Sequence, residues 1–148
     1  MPTAITGVFP CYENQFSIGA AGGQSAPTTN IADCTTFSVA FNNGVEEWTA
    51  FGSEGWLSRM QTAKNIVITI SAKRNIGDAG NDMVADVSFK NGRQVEKDFA
   101  WNLPDGTTAW FKNAIINVTS NSGGDATNVA PLEFQVMSNG KPVVTPAA

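Results

Sequence analysis

The residues with chemical potential are few. Glu46 and Glu47 stand side by side, and paired carboxylates can divide general acid and base roles when their environments split their pKa values. Adjacent residues on an extended strand point to opposite faces, so these two do not converge on one substrate and read as solvated or interface charges. Cys11 and Cys34 are separated by 22 residues, a spacing that matches no metal-ligand pattern. The chain has no His, which removes a Ser–His–Asp triad, a Cys–His nucleophile pair and a Cys₂His₂ zinc site together. Gly77-Asp78-Ala79-Gly80-Asn81-Asp82 has a faint calcium-loop look, but it lacks the alternating acids and terminal Glu of such a loop. Gly19, Gly22 and Gly23 are not followed by Lys-Ser/Thr, so they form no phosphate cradle. No catalytic residue, metal site or cofactor is expected. Trp48, Trp56, Trp101 and Trp110 leave one binding chemistry open, a sugar-stacking platform on a β face, against the more ordinary roles of core and subunit interface.

The elements that position these residues are mostly period-two. Phe37, Val39 and Phe41 alternate with Thr36, Ser38 and Ala40, as do Ile66, Ile68 and Ile70 with Val67, Thr69 and Ser71. Val95, Phe99, Trp101 and Leu103 share one face, with Glu96 and Asp98 on the other. Pro104-Asp105-Gly106 then turns the chain into a return strand from Thr108 to Thr119. Leu132, Phe134 and Val136 make a late strand before the Asn139-Gly140 turn. Met83, Val84 and Val87 fall at helical spacing, predicting one helix over Ala79–Phe89 with Asp78 as N-cap and Asp82 in its first turn. Trp56, Leu57 and Met60 predict a short helical turn. Residues 19–33 form a long, flexible, Gly-rich loop, uncharged from Gly19 to Asn30, and such a loop is either functional or disordered. Residues 121–128 form a second loop, and the C-terminal arm, about 139–148, ends in a free tail from Val143. The expected fold is mainly β (α+β), a β-sandwich or open barrel with one flanking α-helix, in a single domain over residues 1–148.

Charge is sparse, 15% of residues, and the net charge is −4. Residues 1–58 carry five acids (Glu13, Asp33, Glu46, Glu47, Glu54) and no Lys or Arg, whereas residues 59–148 carry eight acids and nine bases. A nucleic-acid-gripping surface is not expected. One acidic and one weakly basic half either neutralise each other within the fold or dock copies head to tail. The N-terminus lacks a basic region followed by an apolar core, so no secretory signal is read, and no stretch reaches the length of a membrane span. Both cysteines are therefore expected as free thiols.

The order Phe41-Asn42-Asn43-Gly44-Val45-Glu46-Glu47-Trp48, Glu54-Gly55-Trp56, Ser71-Ala72-Lys73-Arg74 and Gly77-Asp78-Ala79-Gly80-Asn81-Asp82 resembles the major tail (tail tube) proteins of long-tailed bacteriophages. Leu103-Pro104-Asp105-Gly106-Thr107 and Glu133-Phe134-Gln135-Val136-Met137-Ser138-Asn139-Gly140-Lys141-Pro142 extend the resemblance, which spans roughly residues 30 to 145. It implies a non-enzymatic virion subunit, assembled in the bacterial host cytoplasm, with two packed β-sheets and a helix. It implies homo-hexameric rings stacked into a tube around a tape measure protein, ending in tail terminator and tail-tip or baseplate proteins, without a membrane anchor. Double-stranded DNA passes through the lumen without specific binding. A ring of six would carry six times the chain's −4, and duplex DNA carries about one negative charge per 1.7 Å of axis, so such a lumen repels phosphate. Candidate assembly-interface residues are Gln24, Thr28, Thr29 and Asn30 on the loop, Glu46 and Glu47 in the acidic half, and Lys73, Arg74 and Lys141 among the bases. The alternative is a carbohydrate- or receptor-binding β-sandwich.

Overall fold

The computed structural model describes residues 6–146. Eight strands follow one another as β1 (Gln15–Ala20), β2 (Thr29–Asn30), β3 (Cys34–Trp48), β4 (Ser58–Lys73), β5 (Glu96–Asn102), β6 (Thr108–Asn121), β7 (Pro131–Met137) and β8 (Val143–Thr145), with one helix, α1 (Ala79–Asp86). All strand pairs are antiparallel, in the order β2-β1-β5-β6-β7-β4-β3, with β8 added alongside the first residues of β6. This is the expected mainly-β architecture with one flanking helix.

The sheet is not flat. β1 and β3 stand five strand spacings apart along it, which is about 24 Å in a planar sheet. Yet the Phe16 and Phe37 rings meet edge to face with centroids 4.9 Å apart. The sheet therefore curls over on itself and closes around Phe16, Ile18, Ile68, Ile70, Phe99, Phe111, Ile116, Leu132, Phe134 and Val136. These are the alternate residues of their strands, and burying one face of each is what drives the curl.

The Pro104–Gly106 turn forms as its residues demand. The Leu103 N–H donates to the Thr107 carbonyl at 2.8 Å, and Gly106 takes a φ of 93°. The Thr107 N–H donates to Asp105 Oδ1 at 2.9 Å, which holds that carboxyl below the usual range. Helix α1 starts where the cap predicts, with Asp78 Oδ2 accepting from the Asn81 N–H at 3.0 Å, and it runs on into a 3-10 turn at Val87–Phe89. Fully buried Asn81 uses its whole amide. Its Oδ1 accepts from Arg74 Nη1 (2.9 Å) and the Asn75 N–H (3.0 Å), and its Nδ2 donates to the carbonyls of Lys73 (2.8 Å) and Ala32 (3.2 Å). Gly80 lies so close to the chain at Asn30 that an added Cβ would stand 2.3 Å from the Asn30 oxygen. The helix is thereby locked to the base of the β3–β4 hairpin.

Several local expectations are corrected. Trp56, Leu57 and Met60 form no helical turn. A 3-10 turn sits earlier, at Phe51–Ser53, and Met60 already lies in β4, because pairing with β3 continues as far as Trp48 and Ser58. Gly19–Ala20 and Thr29–Asn30 belong to β1 and β2, so the loop proper is residues 21–28. Val143–Thr145 is no free tail, being paired with Thr108–Trp110; residues 147–148 of the arm lie outside the described residues. Asp98, expected on the face opposite Phe99 and Trp101, is buried.

Candidate assembly interface

The β3–β4 hairpin dominates the molecule. Its strands run 15 and 16 residues, against a usual five or six. β7 covers only Val67–Lys73 of β4, and it departs where the Ser138 N–H donates to the Ile66 carbonyl at 2.9 Å. Beyond that point Phe41–Trp48 and Ser58–Asn65 form a two-stranded ribbon lying past the core. Such a ribbon is marginal by itself in water. β3 is the last strand of the sheet, so among the described residues its outer backbone edge has no partner along its whole length.

Side chains organise the ribbon without burying it. An added Cβ on Gly44 would stand 2.9 Å from the Ala63 Cβ, beside a register shift between Gly44 and Val45. Lys64 sits over the Phe41 ring at 5.3 Å and donates to Asn43 Oδ1 at 3.2 Å. Arg59 pairs with Glu47 at 2.7 Å, an exposed bridge that contributes little stability. At the tip Glu54 and Gly55 turn the chain with φ of 55° and 86°. Trp48, Phe51, Trp56, Leu57 and Met60 are exposed there, Trp56 by 77%. Large apolar groups gathered at one exposed end mark an interaction surface.

The solvent face of β3, β4, β7 and β6 has a different character. Register aligns Ser38, Thr69, Gln135 and Asn117 in one row, and Thr36, Ser71, Glu133 and Ser120 in the next. Asn117 Nδ2 donates to Gln135 Oε1 at 3.2 Å, and the Ser71 hydroxyl to Glu133 Oε1 at 3.2 Å. Neither row contains Lys or Arg. The face is hydroxyl- and amide-rich, with Glu133 as the charge of these two rows.

The candidate interface residues fall into three places. Thr29, Asn30, Lys73 and Arg74 come together around the start of α1. Arg74 is spent internally there, with Nη1 2.7 Å from Asp82 and 2.9 Å from Asn81, and Asn30 Oδ1 accepts the Ser17 hydroxyl at 2.9 Å. Glu46 and Glu47 lie near the hairpin tip, about 40 Å along β3 from that cluster. Gln24 and Lys141 both project from segments tied to Asn113, through Gly22 and Asn139 respectively, while Thr28 is exposed just before β2. Sequence reasoning missed the apolar tip and the open edge. The signal was present in the close run of large apolar residues from Trp48 to Met60.

A cleft of about 530 Å³ is lined by Tyr12, Asn14, Asn30, Phe37, both cysteines and a single carboxylate, Asp33. Burial, reinforced by Asp33 and Asp78, pushes the Cys34 thiol up to about 11, so it is a poor nucleophile near neutrality. Among the described residues no group of three His, Cys, Asp or Glu could hold a metal ion. Two tryptophans are committed to the fold. Trp101 Nε1 donates to Asn14 Oδ1 at 2.9 Å, and Lys112 covers the Trp110 ring at 4.5 Å.

No protein-family model matches the sequence, and no curated protein matches it. Solved structures do match the fold. The tail of an empty gene transfer agent particle, refined with C6 symmetry, superposes with a TM-score of 0.69 at 16% identity, covering 95% of this chain and 100% of that one. The sheath/tube terminator of an extracellular contractile injection system gives 0.64 at 16% identity, covering 96% and 99%. The tube-terminating cap of the anti-feeding prophage gives 0.62 at 17% identity, covering 99% and 97%. Over nearly its full length the chain has the fold shared by subunits of these tail and tube assemblies.

Proposed function

We propose that this chain is a non-enzymatic structural subunit, a single domain over residues 1–148, that polymerises into the tail tube of a virion-like particle. The observation that carries this reading is the β3–β4 ribbon. It presents an unpaired edge on β3, a second free edge on the distal half of β4, and an apolar tip, none of which is covered among the described residues. Ribbons from neighbouring copies placed side by side pair the β3 edge of one with the β4 edge of the next. That contact is heterologous, and a heterologous contact that closes makes a ring. Ring closure pairs the free edges of the ribbon between copies, the condition under which such a ribbon is safe from uncontrolled aggregation.

Six copies per ring is the number suggested by the sequence resemblance and by the C6 symmetry of the gene transfer agent tail. The Ser/Thr/Asn/Gln face of β3, β4, β7 and β6 then turns to the lumen. Without Lys or Arg in its central rows it offers phosphate no counter-charge, so double-stranded DNA slides during ejection. The apolar tip, with the candidate residues around the start of α1 and on the 21–28 loop, joins one ring to the next. A tape measure protein inside, and terminator and tail-tip or baseplate proteins at the ends, complete the partners of a tail built in the host cytoplasm.

Negative-stain microscopy of the purified protein over rising concentration tests the reading. Rings or tubes are the expected result, and a monomer at every concentration by sedimentation velocity contradicts it. Exposed Trp48 and Trp56 favour one second reading, a carbohydrate- or receptor-binding module. A glycan array without hits removes it.

A further inference from the structure

Among the buried described residues Asp98 is the one charged side chain, 1% exposed on β5, and it forms no ion pair with any described Lys or Arg. A carboxylate in such a place is tolerated only if its oxygens are hydrogen-bonded. Here the two oxygens serve two separate segments. Oδ1 accepts the backbone N–H of Asn113 in β6 at 2.9 Å, and Oδ2 accepts the N–H of Gly23 in the β1–β2 loop at 3.1 Å. The backbone is shaped around these bonds. The β5–β6 register slips between Lys97 and Phe99, a bulge in which Lys112 and Asn113 of β6 together stand against Asp98. Across from it Asn113 adopts a φ of 52°, left-handed for a residue with a side chain. Gly23 is held so closely that an added Cβ would lie 3.0 Å from Asp98 Oδ2.

Asn113 carries the connection outward in two directions. Its side-chain oxygen accepts the Gly22 N–H at 3.1 Å, doubling the hold on the loop. Its backbone carbonyl accepts Asn139 Nδ2 at 3.2 Å, in the link between β7 and β8 that begins the C-terminal arm. A loop near one end of the chain and an arm near the other are thus tied to a single kinked residue, and that kink is held by one buried carboxylate.

We propose that Asp98 and Asn113 form a latch that couples the β1–β2 loop to the C-terminal arm, so that the two segments are held and released together. The physical reason is the kink. A left-handed non-glycine backbone persists only while its surroundings over-determine it. Loss of the Asp98 bond lets Asn113 relax toward ordinary extended geometry, which turns its side-chain oxygen from Gly22 and its carbonyl from Asn139 in one step. Coupling of this kind is reciprocal: a partner that lifts the arm loosens the loop, and one that grips the loop steadies the arm. Nothing in the inference depends on the tube reading.

Hydrogen exchange on the dilute monomer, read peptide by peptide, tests it. Asp98→Asn places an amide N–H₂ against one of the two backbone donors. Exchange across residues 21–28 and 139–146 is then expected to quicken together, by about tenfold, while β4 and β7 keep their protection. Asn139→Ala touches the arm alone and is expected to quicken exchange in the loop as well, by about threefold. An Asp98→Asn effect confined to the loop, or an Asn139→Ala effect confined to the arm, overturns the coupling. Asn139→Ala removes only an exposed contact, so it decides the matter even if Asp98→Asn fails to fold.

Discussion

Phe16 of β1 and Phe37 of β3 touch edge to face at 4.9 Å across the two ends of the curled sheet. Phe16 also stacks on Phe99 at 5.9 Å, so one ring joins the closing contact to the middle of the core. Phe16→Ala is expected to cost about 3–5 kcal/mol, through lost burial and the cavity left behind. Phe16→Leu should cost roughly a third of that. Urea unfolding of both variants measures the difference, and an Ala variant within about 1 kcal/mol of the parent would show that closure does not depend on this ring.

Asn81 joins α1 to the base of the hairpin through four side-chain hydrogen bonds. Asn81→Leu keeps the volume but strands two carbonyls, one N–H and part of the Arg74 guanidinium. A loss of about 3–5 kcal/mol is expected, from unsatisfied buried groups at roughly 1–3 kcal/mol each with partial relaxation. Thermal unfolding reads it. Asn81→Asp, which keeps the two acceptor contacts, should fall between the parent and the Leu variant.

The Cys34 thiol, raised to about 11 by burial and by Asp33 and Asp78, links stability to alkaline pH. The folded chain keeps this proton more tightly than the unfolded chain, whose thiol titrates near 9.0. Its contribution is therefore complete below pH 9 and is lost as pH rises through 11, by roughly 2–3 kcal/mol in all. Other groups titrate in that window, so the comparison is with Cys34→Ala, whose stability curve should fall less steeply between pH 9 and 11. Parallel curves would show that the thiol is not responsible.

Phe51 and Trp56 contribute apolar surface at the hairpin tip without supporting the core. The double substitution Phe51→Ser with Trp56→Ser should leave monomer stability within about 0.5 kcal/mol. The concentration needed for assembly should rise by at least about tenfold, as seen by light scattering and microscopy. Unchanged assembly would remove the tip from the interface.

How far the residues foretold this molecule depended on whether a core lay beneath them. Ile66, Ile68 and Ile70 alternate against buried neighbours, and β4 was legible there. Seven residues earlier the same strand at Arg59 and Met60 faces solvent on both sides, so its alternation faded and a helical spacing fitted as well. The Asp78 cap and the Pro104–Gly106 turn are local devices and were legible for that reason. β8 was hidden because Pro142 and Pro146 bracket three residues whose partner lies far back in the chain. Alternation puts Asp98 on the face opposite Phe99, and its burial beneath Gly23 of the β1–β2 loop is a tertiary feature that alternation does not carry. Of the candidate interface residues, Arg74 could not be separated from free surface bases without knowing that Asn81 and Asp82 claim it.

The outer edge of β3 carries one last consequence. From Cys34 to Trp48 the strand has neither Lys nor Pro, the residues that usually blunt a bare edge, and its acids, Glu46 and Glu47, sit near the far end. A solitary copy is therefore sticky by construction, and its lifetime in the free state is set by how soon another copy arrives. At rising concentration its bare edge is expected to pair with another copy rather than remain in solution. The timing of its supply matters as much as its shape.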